Sequence, residues 1–102
     1  MAMTESLEKM LADGRDDAML RFGLGSAYFN DKNYSAAIPH LQACLQHDEH
    51  YSAAYKLLGR SLAFTDKQAQ AKTIFEKGLV VSAEKGDKQT EKEITVFLKK
   101  LD

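Results

Sequence analysis

Apolar residues recur every three or four positions along most of the chain, and short polar stretches interrupt this spacing. Such spacing places apolar side chains on one face of an α-helix, whereas a half-buried strand would alternate apolar and polar residues. The clearest interruptions lie at 30–33, which reads Asn-Asp-Lys-Asn, and at 65–67, which reads Thr-Asp-Lys. The pattern therefore predicts an all-α protein of about six antiparallel helices joined by short turns.

The chain also repeats itself with a period of 34 residues. When the sequence is moved by that distance, residues of similar size coincide at the apolar positions. The matched pairs are Leu24 and Leu58, Gly25 and Gly59, Ala37 and Ala71, Leu41 and Phe75, and Leu45 and Leu79. A repeat of this length predicts a stack of helix-turn-helix units in which each unit packs on its neighbours.

This repeat divides one predicted domain, residues 1–102, into four parts. The first repeat covers 18–51 and the second covers 52–85. One period earlier, Leu7 aligns with Leu41 and Leu11 with Leu45, so 4–13 is predicted to be the second helix of a half repeat. The register fails after Gly86, but the apolar residues of 87–101 fall on one helical face. That segment is predicted to be a capping helix with one apolar and one wet side.

Two glycines, Gly25 and Gly59, lie inside predicted helices. Glycine in a helix interior costs about 1 kcal/mol relative to alanine, so something must offset that cost. We expect a close approach of two helix backbones, with the small residues Ala37, Ala71 and Gly78 on the facing helices. Large side chains such as Tyr28, Leu41 and Phe75 should fill the spaces beside these contacts.

Polar residues predict where helices begin. Asp16 or Asp17 can cap the first helix of the first repeat, and Asn33 or Ser35 can cap its second helix. Pro39 would cost about 3 kcal/mol in a helix interior, but less within the first turn. We therefore expect the second helix to start at about Ser35, with the proline near its beginning.

These residues resemble the tetratricopeptide repeat family, in particular its small bacterial-type members. The family's motif carries a Leu-Gly pair and a following aromatic residue in its first helix. The corresponding residues are Leu24-Gly25 with Tyr28, and Leu58-Gly59 with Leu62. The resemblance implies a short right-handed superhelix, an α-solenoid, whose concave groove is lined by the first helices and receives a peptide or partner helix.

Carried onto this chain, the resemblance implies groove positions on the first helices of both repeats: Met19, Phe22, Ser26, Phe29, Ala53, Lys56, Arg60 and Ala63. Lys56 and Arg60 are four residues apart and project from one helical face, which favours an acidic peptide or chain terminus between them. The alternative for this pair is a solvated role with neighbouring acids.

For Phe22 the alternative is packing against the N-terminal helix residues Leu7, Met10 and Leu11. Phe29 is the better groove candidate. Exposed aromatic residues would mark a contact surface, since large apolar patches on a monomer usually bind something.

Composition and charge narrow the classes of partner. Lys and Arg number 14 against 15 Asp and Glu, so a net charge of −1 attracts neither nucleic acid nor an anionic membrane surface. The sequence has no apolar run of about 18 residues that could cross a bilayer. The single Cys44 cannot form an internal disulfide, so we expect a cytoplasmic protein with a buried core thiol at this position.

Catalytic and metal signatures are missing from the sequence. The spacing of His40, His47 and His50 puts at most two of them on one helical face, with no Cys pair nearby. There is no phosphate-cradling glycine loop, nucleophile elbow or acid-base dyad. We therefore expect no enzymatic activity, no catalytic residue, no metal and no cofactor.

The leading hypothesis is a protein–protein interaction module, or adaptor, that binds a partner's peptide or helix in its concave groove. Lys56 and Arg60 favour an acidic segment. The alternative is a self-associating structural subunit, a homodimer joined through the N-terminal helix, because one apolar side of that helix has no first helix to cover it. A small enzyme or cofactor carrier remains only as a third hypothesis to be tested.

Overall fold

Six α-helices account for almost all of residues 2–101, the range that the computed structural model describes. They are α1 (Ala2–Ala12), α2 (Ala18–Asn30), α3 (Tyr34–His47), α4 (Ser52–Phe64), α5 (Gln68–Lys85) and α6 (Lys88–Lys100). No strand occurs in this range. The predicted all-α fold class is confirmed, and residues 1 and 102 of the predicted domain lie outside the described range.

The helices form antiparallel pairs that stack side by side. The most extensive contacts join α2 to α3 and α4 to α5, while α3 packs on α4 and α5 on α6. The backbones of α2, α4 and α6 also approach one another, whereas those of α1, α3 and α5, as far as the structure describes them, do not. The stack therefore curves with α2, α4 and α6 on its inner side, and we call the surface they share the inner face.

The two turns inside the repeats have the same geometry. Lys32 and Asp66, which are 34 positions apart, both have a φ of 62° in the left-handed region. Each is followed by a backbone N–H that returns to the preceding helix, from Asn33 to the carbonyl of Tyr28 at 2.9 Å and from Lys67 to the carbonyl of Leu62 at 2.8 Å. The sequence period is thus a structural period as well.

Side-chain caps begin three of the helices. Asp17 Oδ1 accepts from the Leu20 N–H at 2.8 Å, and Asn33 Oδ1 accepts from the Ala36 N–H at 3.4 Å. Because α3 begins at Tyr34, Pro39 is its sixth residue and lies in the second turn. The expectation that a start near Ser35 would bring the proline into the first turn is wrong. Its missing N–H leaves the carbonyl of Ser35 without its usual helical donor.

The helix glycines do mark close approaches, but the predicted small partners are wrong. A Cβ on Gly25 would lie 2.5 Å from Cδ2 of Leu41, and one on Gly59 would lie 2.5 Å from Cδ1 of Phe75. Large side chains, Leu41 and Phe75, fill the space that the absent methyl groups leave. Gly78 likewise faces Tyr55, since a Cβ on Gly78 would lie 2.6 Å from the Cβ of Tyr55.

The terminal helices differ slightly from their predicted ranges. The helix expected at 4–13 spans Ala2–Ala12, and the one expected at 87–101 spans Lys88–Lys100. α6 packs through Ile94, which is fully buried against α5 and Gly78. Its N-cap, Asp87, accepts from the Ser52 hydroxyl at 2.6 Å and so ties the start of α6 to the start of α4. Within the described residues, no helix is both long and apolar enough to cross a bilayer.

Candidate functional site

The predicted groove residues fall into two groups in the structure. Phe29, Arg60 and Ala63 meet near the C-terminal ends of α2 and α4, where α6 adds further side chains. Met19, Phe22 and Ser26 instead line a separate cleft between α1 and α2. The inner face therefore carries two candidate sites rather than one continuous groove.

The first site is built around Arg60. Its guanidinium carbon lies 4.9 Å from the ring centroid of Phe29, 5.8 Å from that of Phe64 and 4.4 Å from that of Phe97. Tyr34 completes the group by stacking on Phe64 at 4.5 Å. We call these five residues the Arg60 cluster; it joins α2, α3, α4 and α6 through cation–π and ring contacts.

A cleft of about 330 Å³ opens beside this cluster, between α4 and α6. Its lining is mostly apolar, and it carries two cations, Arg60 and Lys100. Phe64 is 55% exposed at its mouth, which is high for a phenylalanine. The ammonium of Lys100 lies 5.7 Å from the centroid of Phe97, so both cations stand over the same ring. The remaining lining residues are Ala63, Gln68, Phe75 and Leu101.

Lys56, the other predicted cation, is already paired. Its ammonium donates to Glu93 Oε1 on α6 at 3.0 Å, and the lysine side chain is only 22% exposed. The alternative predicted from the sequence gave both cations neighbouring acids. Lys56 has one on α6, whereas Arg60 has no carboxylate in bonding reach among the described residues. Lys56 and Arg60 therefore do not act as a free cationic pair.

The second site is the cleft between α1 and α2, with a volume of about 580 Å³. Three methionines on its walls are exposed: Met3 at 65%, Met10 at 41% and Met19 at 70%. Phe22 lines the cleft together with Leu7 and Met10, and its ring also stacks on Tyr51 at a centroid distance of 4.8 Å. We call this surface the methionine cleft.

A network of polar side chains joins α1, α2, α3 and the loop that precedes α2. Arg21 donates to both carboxylate oxygens of Asp16, at 2.8 and 2.9 Å, and this holds the pKa of Asp16 well below its usual range. Arg21 also donates to Nδ1 of His40 at 3.1 Å. Because a guanidinium can only donate, Nδ1 must accept, and the ring proton sits on Nε2 facing Glu8 at 3.4 Å. Burial lowers the pKa of His40, so the ring is neutral near pH 7.

Two of the three histidines, His40 and His47, therefore have structural partners. Nε2 of His47 lies 2.9 Å from Asp16 Oδ1, in the same network. In the part of the chain that the structure describes, no three His, Cys, Asp or Glu side chains are grouped so that they could hold a metal ion. Cys44 is fully buried, and burial raises the pKa of its thiol to about 11, which makes it unreactive as a nucleophile.

Sequence reasoning missed part of the Arg60 cluster. The sequence predicts no role for Phe64, and Phe97 and Lys100 belong to a segment, 87–101, that is predicted only as a capping helix. Phe64 follows Arg60 by four residues, a spacing that puts both side chains on one helical face. The position of Phe64 beside Arg60 could therefore have been predicted from the sequence. The position of Phe97 could not, because it depends on how α6 docks.

Known proteins resemble this chain over almost its whole length. It is 51% identical to a TPR repeat-containing protein of Pseudomonas aeruginosa over 100 residues, which are 98% of this chain and 95% of that relative. The solution structure of a Bordetella parapertussis protein is 44% identical, with a TM-score of 0.85 over 99% of this chain and 88% of that one. No protein-family model matches the chain.

A more distant structure supports the fold alone. The tetratricopeptide repeat domain protein of Salinibacter ruber is 22% identical, and its crystal structure has a TM-score of 0.77 over 83% of this chain and 94% of that one. These likenesses confirm the predicted fold class, a short right-handed superhelix of antiparallel helix-turn-helix repeats.

Proposed function

Because the chain belongs to the tetratricopeptide repeat family, we propose that it is a protein-interaction module that binds a segment of a partner protein on its inner face. Proteins of this family are generally scaffolds without enzymatic activity. The observation that carries the proposal is the Arg60 cluster, in which exposed aromatic surface and an arginine without an acidic partner lie together. Exposed apolar surface next to an arginine is typical of contact sites.

Among the described residues three helices, α2, α4 and α6, form the inner face, which is therefore short. A segment lying across three helices buries about 1,000 Å² or less in total, which places the complex among transient interfaces. We expect a weak, exchangeable complex. The proposal includes the cytoplasmic location predicted from the lone free thiol of Cys44.

Position-specific crosslinking tests this function. A photoreactive benzoylphenylalanine is placed at Ala53, which precedes Lys56 and Arg60 on α4 by three and seven residues and so shares their helical face. In a matched variant it is placed at Lys72, an exposed residue of α5. Both variants are irradiated in lysate of the cells that produce the protein. We expect crosslinked proteins from the Ala53 variant that are missing from the Lys72 variant. Equal crosslinking from both positions, or none from Ala53, would contradict binding on the inner face.

Self-association is the second candidate, and the methionine cleft favours it. Its three exposed methionines form an apolar edge on α1 and α2. A second copy that covers this edge would form a twofold dimer. Light scattering across a hundredfold range of concentration should then give twice the monomer mass of 11.4 kDa.

A charge placed in the methionine cleft tests this candidate. Met19→Glu should return the mass to that of the monomer, because it puts a carboxylate on the covered edge. Val80→Glu is the matched control, since Val80 is 59% exposed on α5, away from the cleft, and should leave the dimer intact. A wild-type mass of 11.4 kDa at every concentration would rule the dimer out.

A further inference from the structure

Arg60 differs from the other two arginines of the chain. Arg21 donates twice to Asp16, and Arg15 donates to Asp17 at 2.9 Å. Among the described residues, neither a hydrogen-bond acceptor nor a carboxylate is in bonding reach of the Arg60 guanidinium. Only Arg60, of the three, keeps its donors unused while its side chain is partly buried.

The rings around Arg60 fix the guanidinium without using those donors. Cation–π contact engages the face of the guanidinium, whereas its hydrogen bonds are made at the planar edge. With rings of Phe29, Phe64 and Phe97 within 5.8 Å, the group loses little freedom when a carboxylate arrives. An arginine held in this way is prepared for a bidentate acid.

The cleft beside Arg60 indicates that its ligand also has an apolar part. Its walls are largely phenylalanine and leucine, and its volume of about 330 Å³ accommodates one large apolar side chain. Lys100 supplies a second cation at the rim, over the Phe97 ring. The site therefore offers one apolar recess and two positive charges within reach of each other.

We propose that this cleft binds a partner segment in which one large apolar side chain lies between two acidic side chains. The apolar side chain enters the cleft, and the two carboxylates accept hydrogen bonds from Arg60 and Lys100. This rests on the proposed function, because it specifies what the inner face selects. Two cations match two acidic side chains, whereas a chain terminus provides a single carboxylate.

The probe is an acetylated and amidated peptide with Glu-Ser-Phe-Ser-Glu at its centre and Gly and Ser elsewhere. In an extended segment, residues two apart project to the same side, so both carboxylates flank the ring. One control peptide replaces both Glu by Gln, and another replaces Phe by Gly. Blocked ends remove any contribution from a terminal carboxylate.

Binding is followed by the backbone amide signals of the ¹⁵N-labelled whole chain. We expect the probe to shift the signals of Phe64 and Phe97, and the Gln peptide to bind about tenfold or more weakly, since charge-assisted bonds are about twice as strong as neutral ones. Arg60→Gln should remove most of the preference for Glu over Gln. Lys72→Gln, which also removes one positive charge but from exposed α5, should keep that preference.

Three results would overturn the inference. They are equal binding of the Glu and Gln peptides, signal shifts confined to other regions, and no shift at millimolar peptide. Each leaves the crosslinking result from Ala53 unaffected, so failure of the acidic preference is distinguishable from failure of the inner face as a binding surface. A fourth such result would be an Arg60→Gln variant that still prefers the Glu peptide to the Gln peptide, because Arg60 would then not bind the acid.

Discussion

Replacing Gly59 by alanine would place a methyl group where the ring of Phe75 already lies. The new Cβ would be 2.5 Å from Cδ1 and 2.7 Å from Cζ of that ring, inside any real contact distance. Phe75 is 1% exposed, and its ring moves as one rigid unit, so it has no open space to enter. Forcing atoms into a filled core costs about 3 kcal/mol at the upper end of the usual range.

Helix propensity opposes that cost. Alanine favours a helix interior by about 1 kcal/mol over glycine, so the net loss in free energy of unfolding should be about 2 kcal/mol. For a domain of this size the melting temperature should fall by about 10 °C. Urea unfolding followed by circular dichroism measures the free energy, and an unchanged m-value shows that the native state stays compact.

Gly23→Ala is the matched control on α2. Its added Cβ would meet only Leu7 Cδ1 at 3.5 Å, an ordinary contact, so this variant should be more stable by about 0.5 to 1 kcal/mol. Phe75→Leu in the Gly59→Ala background should remove most of the alanine penalty, which a double-mutant cycle measures. If Gly59→Ala were as stable as the wild type, the ring of Phe75 could not lie as close to Gly59 as the structure shows.

Three further predictions concern polar and reactive groups. Burial lowers the pKa of His40, so the unfolded chain binds more protons than the native chain below about pH 6.5, and the free energy of unfolding should fall from pH 7 to pH 5. Urea titrations of His40→Gln should show a smaller dependence on pH. An equal dependence in the wild type and the variant would contradict this. Asp87→Ala should lower the free energy of unfolding by about 1 to 2 kcal/mol, because the Thr90 N–H loses its cap and the Ser52 hydroxyl loses its acceptor. Asp87→Asn should cost less than half as much. Equal losses in the two variants would argue against the cap. The thiol of Cys44, with its pKa raised to about 11, should react with a disulfide reagent at pH 8 only in urea that unfolds the chain, and fast labelling of the native protein would show that it is accessible.

The helices and their pairing could be predicted because each signal is local or periodic. The turn residues at Lys32 and Asp66 lie one period of 34 apart and have the same left-handed φ of 62°, so repeated sequence produced repeated backbone geometry. Asp17 and Asn33 cap the helices they precede, as short polar side chains at such positions do. These features need only a few neighbouring residues to form.

The residues that face Gly25 and Gly59 were predicted wrongly, because an alignment of repeats shows which positions are equivalent but not which side chains meet between two helices. Ala37 and Ala71 occupy small-residue positions of the repeat and are fully buried, yet Leu41 and Phe75, one turn later, are the side chains that fill the space over Gly25 and Gly59. Which residue of the facing helix meets a glycine depends on the crossing angle of the two helices. No pattern along one helix contains that angle.

The Arg60 cluster was only half predictable for a related reason. α4 begins 34 residues after α2, but α6 begins 36 residues after α4, because α5 continues to Lys85 before the chain turns at Gly86. The shift hides α6 from the repeat alignment, so Phe97 and Glu93 could not be placed beside α4. Once α6 is docked, Glu93 neutralises Lys56 and Phe97 covers Arg60, which converts a predicted cationic pair into one arginine held by aromatic rings. The binding chemistry of this face is therefore set by how the last helix docks, which depends on tertiary packing against α5 and α4 rather than on the repeat itself.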